Sequence, residues 1–479
     1  MVMAFCVLVG RDLPSPRVWK NRVCLRMRYS VDVPSWDALR LDLERRVVDL
    51  GGGGDLVWMR EDQDAHGRLY PPCTRDGTLR LFGKAEEDVR VTLYRDPAYW
   101  CPYCERVQMQ LEVKRVPYRI RMINMRCYGK KPDYYTRMVP SGLLPAVEVD
   151  GRLFTESVDI MFLLEDQFTE HSLADFPDFA QKARTFMKLE RECFSWWCTF
   201  VFRPPDRRAR VAWEDVLSRW DAAVQSAGGP YLFGNRVSVI DIMAVPFFER
   251  YVASSFYWQG FRIRGTGQFP GIDSWMTAME REIPSFAAMK ADFYSTIKDL
   301  PPQMGRPFFS DTSQDFRAFV EGDGEIWKLP LPPIGPSSLE PITSLAEGDD
   351  GVGLEHHLEA CARMIQNHSR IARFALRGAG DRPRTVTAPL SDPDAIPDSS
   401  LHEEMDVVLR LLSQSLLQQR IPEREIQGVV SCLTKDERDG IFKSISYFRD
   451  RVGVPRDMMF PAARILRAFA GAFADQFKS

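Results

Sequence analysis

The sequence predicts an α/β domain in the order βαβ then ββα, followed by an all-helical domain and a further helical extension. A β-rich run, Val89 to Tyr94, leads through Cys101-Pro102-Tyr103-Cys104 into the helical pattern Glu105 to Lys114. Asp150-Gly151 stands between two apolar alternations, the signal of a tight β-hairpin. From about residue 172 onward strand patterns give way to helical periodicity.

A chain of 479 residues has room for roughly two to four domains. Its 45% hydrophobic and 27% charged residues are the balance of an ordinary globular protein. A net charge of −3 gives no reason to expect nucleic acid or a membrane surface as partner. No apolar run reaches the roughly eighteen residues needed to cross a bilayer. Ten scattered cysteines in so long a chain suit a reducing compartment rather than a disulfide framework.

Residues 1–32 read as a basic N-terminal tail or transit segment, whose first thirty residues set Arg11, Arg17, Lys20, Arg22, Arg26 and Arg28 against Asp12 alone. Residues 33–87 read as a helix capped by Ser35, then a linker opened by Gly51 to Gly54 and mostly irregular from 55 to 87. Residues 88–168 form the compact α/β unit: the first strand and helix, a second strand at Pro117 to Ile123, a hairpin over Pro145 to Phe154, and a helix from Val158 to Phe168. The first two strands must be parallel through a right-handed crossover, and the whole order is that of a thioredoxin-like fold.

The Cys-x-x-Cys lies on the turn between strand and helix. There the free amides and positive dipole end of the helix stabilise a thiolate at Cys101, lowering a cysteine pKa from about 8.5 to roughly 3.5–7.5. Pro102 suits the first helical position, where a missing N–H costs nothing. Half of a zinc site is a rival reading, but zinc needs four ligands, and neither a second Cys-x-x-Cys nor a histidine pair at finger spacing occurs. A structural disulfide is ill suited to thiols two residues apart on a helix start. Thiol–disulfide exchange through Cys101 and Cys104 is the expected chemistry, and no metal is expected.

Residues 172–300 are helical and aromatic, with a Ser238-Val239-Ile240-Asp241 box expected to cap a helix. Arg203 to Arg210 reads as a solvated interhelical loop. Residues 301–350, with eight prolines, read as a linker, and 351–479 as a helical extension over Leu354–Leu376, Leu401–Gln419, Lys435–Arg451 and Pro461–Phe477. His356, His357 and His368 fall on the first of these helices, and adjacent histidines point about 100° apart there, which makes them poor co-ligands.

These residues together resemble a family. Residues 88–168 are similar to the N-terminal domain of glutathione transferases, and 172–300 to its helical partner domain. Lys131-Pro132-Asp133-Tyr134-Tyr135, Gly142-Leu143-Leu144-Pro145-Ala146 and Phe154-Thr155-Glu156-Ser157 resemble the cysteine-using Omega, Lambda and dehydroascorbate-reductase classes. Cys101-Pro102-Tyr103-Cys104 resembles the dithiol motif of glutaredoxins, and since most Omega-like proteins keep only the first cysteine, monothiol and dithiol routes stay open. Trp100, Asn124 to Gly129 and Arg451 to Met458 resemble a long form found in oxygenic phototrophs, with a C-terminal helical extension.

The resemblance implies glutathione as cofactor. Pro145 would open the third strand with a cis bond, letting Leu144 offer its N–H and C=O to the cysteinyl part of the tripeptide. Glu156 and Ser157 would hold the γ-glutamyl end at a helix N-terminus, and Lys131 would pair with the glycyl carboxylate. The co-substrate site would draw on aromatics such as Trp196, Trp197, Tyr251 and Trp258. The implied activity is reduction of glutathione mixed disulfides or of dehydroascorbate by a thiol transferase. Conjugation of glutathione to electrophiles, and a non-enzymatic scaffold or iron–sulfur module, are the alternatives. A homodimer is common among similar proteins, and a plastid location is expected, with the cytoplasm as the alternative.

Overall fold

The computed structural model describes residues 31–50, 78–323, 325–334, 338–340, 349–382 and 388–478. The basic tail expected at 1–32, up to residue 30, and the Gly51 to Gly54 linker lie outside these residues. Helix α1 (Trp36–Asp49) begins where Ser35 accepts a hydrogen bond from the Ala38 N–H at 3.2 Å, which satisfies one of the open amides of the first turn.

The α/β unit contains β1 (Leu79–Arg80), β2 (Val91–Arg95), α2 (Pro102–Val113), β3 (Tyr118–Met122), α3 (Asp133–Met138), β4 (Ala146–Val149), β5 (Arg152–Phe154) and α4 (Ser157–Gln167). The strands form one sheet in the order β1-β3-β2-β4-β5. β2 and β3 run parallel, as the α2 crossover requires, and β4 runs antiparallel to both β2 and β5. The hairpin turns on Asp150 and Gly151 at φ 49° and 76°, the pair of left-handed residues a type I′ turn demands. Strand β1, in the stretch expected to be irregular, adds an antiparallel edge on β3; its two residues are too short to show an alternation.

The helical domain follows as α5 (Phe179–Phe202), α6 (Arg207–Ser226), α7 (Val239–Gln259), α8 (Pro270–Glu282), α9 (Pro284–Met289), α10 (Phe293–Met304) and α11 (Gln314–Glu321). Helix α7 is buried along its whole length and is the axis of this layer. Its start is the expected reciprocal cap: Asp241 N donates to Ser238 Oγ at 3.3 Å, and Ser238 N donates to Asp241 at 2.9 Å. The same carboxylate also accepts from Leu232 N at 3.0 Å and Trp275 Nε1 at 2.9 Å. The Arg203 to Arg210 stretch is a loop only as far as Asp206, whose side chain accepts from Ala209 N at 3.2 Å and starts α6 at Arg207. Within the proline-rich stretch 301–350, α10 continues through Pro301 and Pro302 to Met304, and α11 lies against α7 through Phe316 and Phe319, which meet Phe256.

The extension contains α12 (Leu354–Ala375), α13 (His402–Gln418), α14 (Glu423–Val430), α15 (Lys435–Arg449) and α16 (Phe460–Phe477). These helices share a second core, separate from the one that unites sheet and helical domain. Helix α1 joins that second core through Leu39 and Leu43; Trp36 Nε1 donates to Asp406 at 2.9 Å and its ring stacks on His368 at 4.3 Å. His357 packs edge-on to Phe469, and burial brings its pKa down to about 4.

Helix α10 joins the two cores. Asp292, just before it, pairs with Arg467 of α16 at 2.5 Å, Ser295 Oγ accepts from Val454 N at 2.8 Å, and the Tyr294 hydroxyl donates to the Asp450 carbonyl at 2.9 Å. Among the described residues, no helix is long and apolar enough to cross a membrane.

Asp241→Ala strips the acceptor from buried donors at Leu232, Ser238 and Trp275. An expected loss of about 3–5 kcal/mol follows from several unsatisfied buried groups, against about 1 kcal/mol for Ser238→Ala. Urea unfolding of the intact chain measures both, and equal small losses would contradict this account of the cap.

Candidate functional site

Cys101 is the N-cap residue of α2, with φ −66° and ψ 111°, and Pro102 occupies the first helical position. The Cys101 carbonyl accepts from Cys104 N at 3.1 Å and Glu105 N at 3.0 Å, closing the first turn. The two thiols differ sharply. Cys101 is 7% exposed and opens on a cleft, whereas Cys104 is fully buried beneath it. The Cys101 pKa is lowered, first by a hydrogen bond from the Cys104 thiol and then by the Cys104 N–H and the Arg95 charge, against burial and Asp96. Burial and that same hydrogen bond push the Cys104 thiol well up. Of the two thiols Cys101 is therefore the more readily ionised, and Cys104 the one that keeps its proton and donates it.

The turn that presents Cys101 is fixed by buried charge. Arg95, at the end of β2, pairs with Asp96 at 3.2 Å, donates to Gln108 at 2.5 Å and lies 3.7 Å from the Tyr99 ring centroid. Asp96 in turn accepts from Trp100 N at 2.9 Å. From the helical domain, Arg250 donates to the Trp100 carbonyl and reaches Glu105 at 2.7 Å. The Trp100 indole N–H donates to the Thr296 carbonyl of α10 at 3.3 Å. Arg95, Asp96 and Arg250 were not singled out from the sequence. Their signal was there: charges ending an apolar strand just before the motif, and Glu249-Arg250 interrupting an otherwise apolar helix.

The cleft has a volume of about 1110 Å³, and Cys101, Cys127, Lys131, Leu144 and Asp394 are among the residues lining it. Lys131 Nζ donates to the Asn124 carbonyl at 2.6 Å, and its pKa is lowered by burial. Gly142, at φ 66°, lets the chain fold beside the Lys131 stem; a Cβ there would lie 3.5 Å from Lys131 Cδ in a backbone state that L-residues avoid. The Leu144–Pro145 peptide is cis.

Cys101, Lys131 and Leu144 thus share one cleft, with Pro145 directly behind Leu144. Glu156 and Ser157 are not among its lining residues; they stand at the start of α4. Glu156 is exposed and takes φ 65°, a conformation that costs a non-glycine residue about 1–3 kcal/mol. Ser157 is buried, its hydroxyl accepting from Arg106 Nε at 3.1 Å and from Arg106 Nη2. Cys127, not singled out as a site residue, has its pKa pushed up to about 12 by burial and receives a hydrogen bond from Gln303 at 2.6 Å.

The aromatic residues expected around a co-substrate do not line this cleft. Trp197, Tyr251 and Trp258 are core residues, Trp197 donating to Ser254 at 2.7 Å, and Trp196 borders a separate surface groove with Arg207 and Arg208. Their apolar area is taken up in joining α5, α6 and α7. One carboxylate oxygen of Asp96 and the sulfurs of Cys101 and Cys104 lie within 4.8 Å of one another, three donors where structural zinc takes four.

Residues 100–167 match the glutathione S-transferase N-terminal domain, and residues 205–278 the glutathione S-transferase C-terminal domain. The chain is 28% identical over 147 residues to "Glutathione S-transferase DHAR2" of Arabidopsis thaliana, covering 30% of this chain and 64% of that protein. It is 27% identical over 147 residues to "Probable glutathione S-transferase DHAR2, chloroplastic" of Oryza sativa subsp. japonica, covering 30% of this chain and 50% of the other. It is also 25% identical over 233 residues to "Glutathione S-transferase L3" of Arabidopsis thaliana, covering 46% and 86%. The chain thus spans between half and two thirds of the first two relatives. A crystal structure of Chlamydomonas reinhardtii dehydroascorbate reductase superposes with a TM-score of 0.38 at 20% identity, covering 44% of this chain and 98% of that one.

The hydrogen bond between the thiols makes a pH prediction. Cys104→Ala removes the donor, so the midpoint of Cys101 alkylation against pH rises toward the ordinary thiol value; Cys104→Ser keeps a hydroxyl donor and holds the midpoint low. Because folding lowers the Cys101 pKa, the thiolate contributes stability above the ordinary thiol value, and the contribution is lost as pH falls through the folded value. Iodoacetamide kinetics with peptide mapping measure the midpoints, and identical values for the Ala and Ser variants would refute the donor role.

Proposed function

Starting from glutathione S-transferase N- and C-terminal domains at residues 100–167 and 205–278, we propose that this protein is a glutathione-dependent thiol transferase acting through Cys101. The observation that carries the reading is the asymmetric thiol pair: a cysteine with a lowered pKa, at a helix N-terminus, opening on a cleft that Lys131 and Leu144 also line. The dehydroascorbate-reductase and Lambda-type names of its relatives agree with cysteine chemistry.

In the proposed cycle, the Cys101 thiolate attacks the glutathionyl sulfur of a mixed disulfide. The Cys101–glutathione disulfide forms, and the other thiolate leaves and takes a proton. A second glutathione thiolate then attacks the bound glutathionyl sulfur, releasing glutathione disulfide and restoring the Cys101 thiolate. In the dithiol branch Cys104 instead attacks Cys101 sulfur and expels glutathione, after giving up its proton. Its full burial and raised pKa make this branch the slower one. With dehydroascorbate, Cys101 and one glutathione together surrender two electrons and two protons, yielding ascorbate and the same mixed disulfide.

In this reading Leu144, beside Pro145, offers main-chain hydrogen bonds to the tripeptide, Lys131 meets its glycyl carboxylate, and the start of α4 at Glu156 and Ser157 meets its γ-glutamyl end. Alignment of the tripeptide sulfur against Cys101 supplies much of the rate. Basic residues within 1–32 and the chloroplastic names of two relatives support a plastid site of action.

Cys101→Ser is expected to lower reduction of the glutathione mixed disulfide of 2-mercaptoethanol by on the order of a thousandfold or more, while Cys104→Ser keeps most of it. Assay with a chlorinated nitrobenzene should give little turnover, because a cysteine at this position forms a disulfide with glutathione rather than stabilising its thiolate. A Cys101→Ser variant with near-full activity would end this proposal.

A further inference from the structure

We infer that the helical extension is part of the active site: its 388–394 loop supplies a wall of the cleft onto which Cys101 opens, and Asp394 on that wall favours co-substrates carrying an amine. The inference rests on the thiol-transferase reading for the identity of the first substrate, not for the existence of the wall.

The loop leaves the core of its own unit. Ala388 and Leu390 are buried at 0% and 2% exposure within the core shared by the sheet and the helical domain, not within the extension's core. It is fastened from both sides. Arg456 donates to the Leu390 carbonyl at 3.2 Å while paired with Asp457 at 2.8 Å, both side chains being buried. Arg377 donates to the carbonyls of Ser391 and Asp392, each at 3.3 Å. Directly after these anchors, Pro393 and Asp394 line the cleft together with Cys101 and Lys131.

The Arg451 to Met458 motif carries one of these anchors, Arg456. Gly453 N donates to Asp457 at 2.8 Å and Val454 N to Ser295 Oγ at 2.8 Å, which lays the motif across α10 with Arg456 aimed at the loop. Arg456 is thus a positioning residue for the wall. Around the cleft, Arg126, Lys130 and Lys131 supply cations and the exposed Asp394 an anion. Glutathione carries two carboxylates and one ammonium, so the cations match the tripeptide. The carboxylate of Asp394 attracts an ammonium on the other half of a mixed disulfide, an aminothiol rather than an acidic thiol.

The test uses the full-length protein and Asp394→Asn, a change of charge at an exposed position, with thermal unfolding of both proteins run alongside. Methanethiosulfonates bearing a cationic or an anionic group label Cys101 directly: the thiolate displaces methanesulfinate and forms a disulfide, with no need of glutathione. Because a nearby carboxylate attracts the cationic reagent and repels the anionic one, the cationic-to-anionic rate ratio at Cys101 should fall by about twofold or more in Asp394→Asn at low salt, and by less at high salt. An unchanged ratio, read by peptide mass spectrometry, overturns the wall. In parallel, kcat/KM for the cysteamine–glutathione disulfide should fall relative to that for the neutral 2-mercaptoethanol–glutathione disulfide. A labelling shift without this second change overturns amine selection. A labelling shift with neither disulfide reduced by the unaltered protein keeps the wall and removes the thiol-transferase reading.

Discussion

Four charged side chains buried under one turn, Arg95, Asp96, Glu105 and Arg250, hold together the strand, the helix and the helical domain at the point where Cys101 emerges. Burying ions is costly unless each is paired and its remaining hydrogen bonds are met, and removing one partner of such a pair typically costs about 3–5 kcal/mol. Here Asp96 takes the Trp100 N–H and Arg250 donates to the Trp100 carbonyl, so the residue before Cys101 is gripped at both its main-chain polar atoms by charges from two domains. The turn cannot shift without stranding an ion. That rigidity keeps the Cys101 sulfur beside the Cys104 thiol and N–H that stabilise it.

The same arrangement divides the two cysteines into unlike roles. A thiolate next to a buried apolar environment would be driven to protonate, yet Cys104 and its N–H supply hydrogen bonds that outweigh burial at Cys101. Cys104 has no such donors and keeps its proton. In the proposed cycle this asymmetry favours the monothiol route over a freely cycling dithiol, because the second sulfur is spent in holding the first.

Helix α10 carries the site into the extension. Thr296 receives the Trp100 indole, Asp299 accepts from the Tyr128 hydroxyl, and Gln303 meets Cys127 at the cleft, while Asp292, Tyr294 and Ser295 bind the extension. Burial raises the Asp299 pKa to about 7, so this junction carries a proton near neutrality that an exposed aspartate would have lost. One helix therefore touches the cleft wall on one side and a separate core on the other.

Local patterns were enough for the α/β order, the parallel crossover, the hairpin at Asp150-Gly151, the Ser238–Asp241 cap and the four longer extension helices, because each is set by side-chain period or by a turn or cap within a few residues. The Cys101 turn was legible for the same reason: strand, proline and helix are contiguous. Strand β1 and helix α14 were too short to show a period, and the aromatic residues near 196 and 251 gave no sign of whether they face a ligand or a core. Pairings across a hundred residues or more were invisible from the sequence: Trp36 with Asp406, Arg250 with the Trp100 carbonyl, and the loop at 388–394 beside Cys101. Period and capping are properties of neighbours along the chain. Which charges neutralise one another, and which loop closes a cleft, are decided only when distant segments compete for the same buried space.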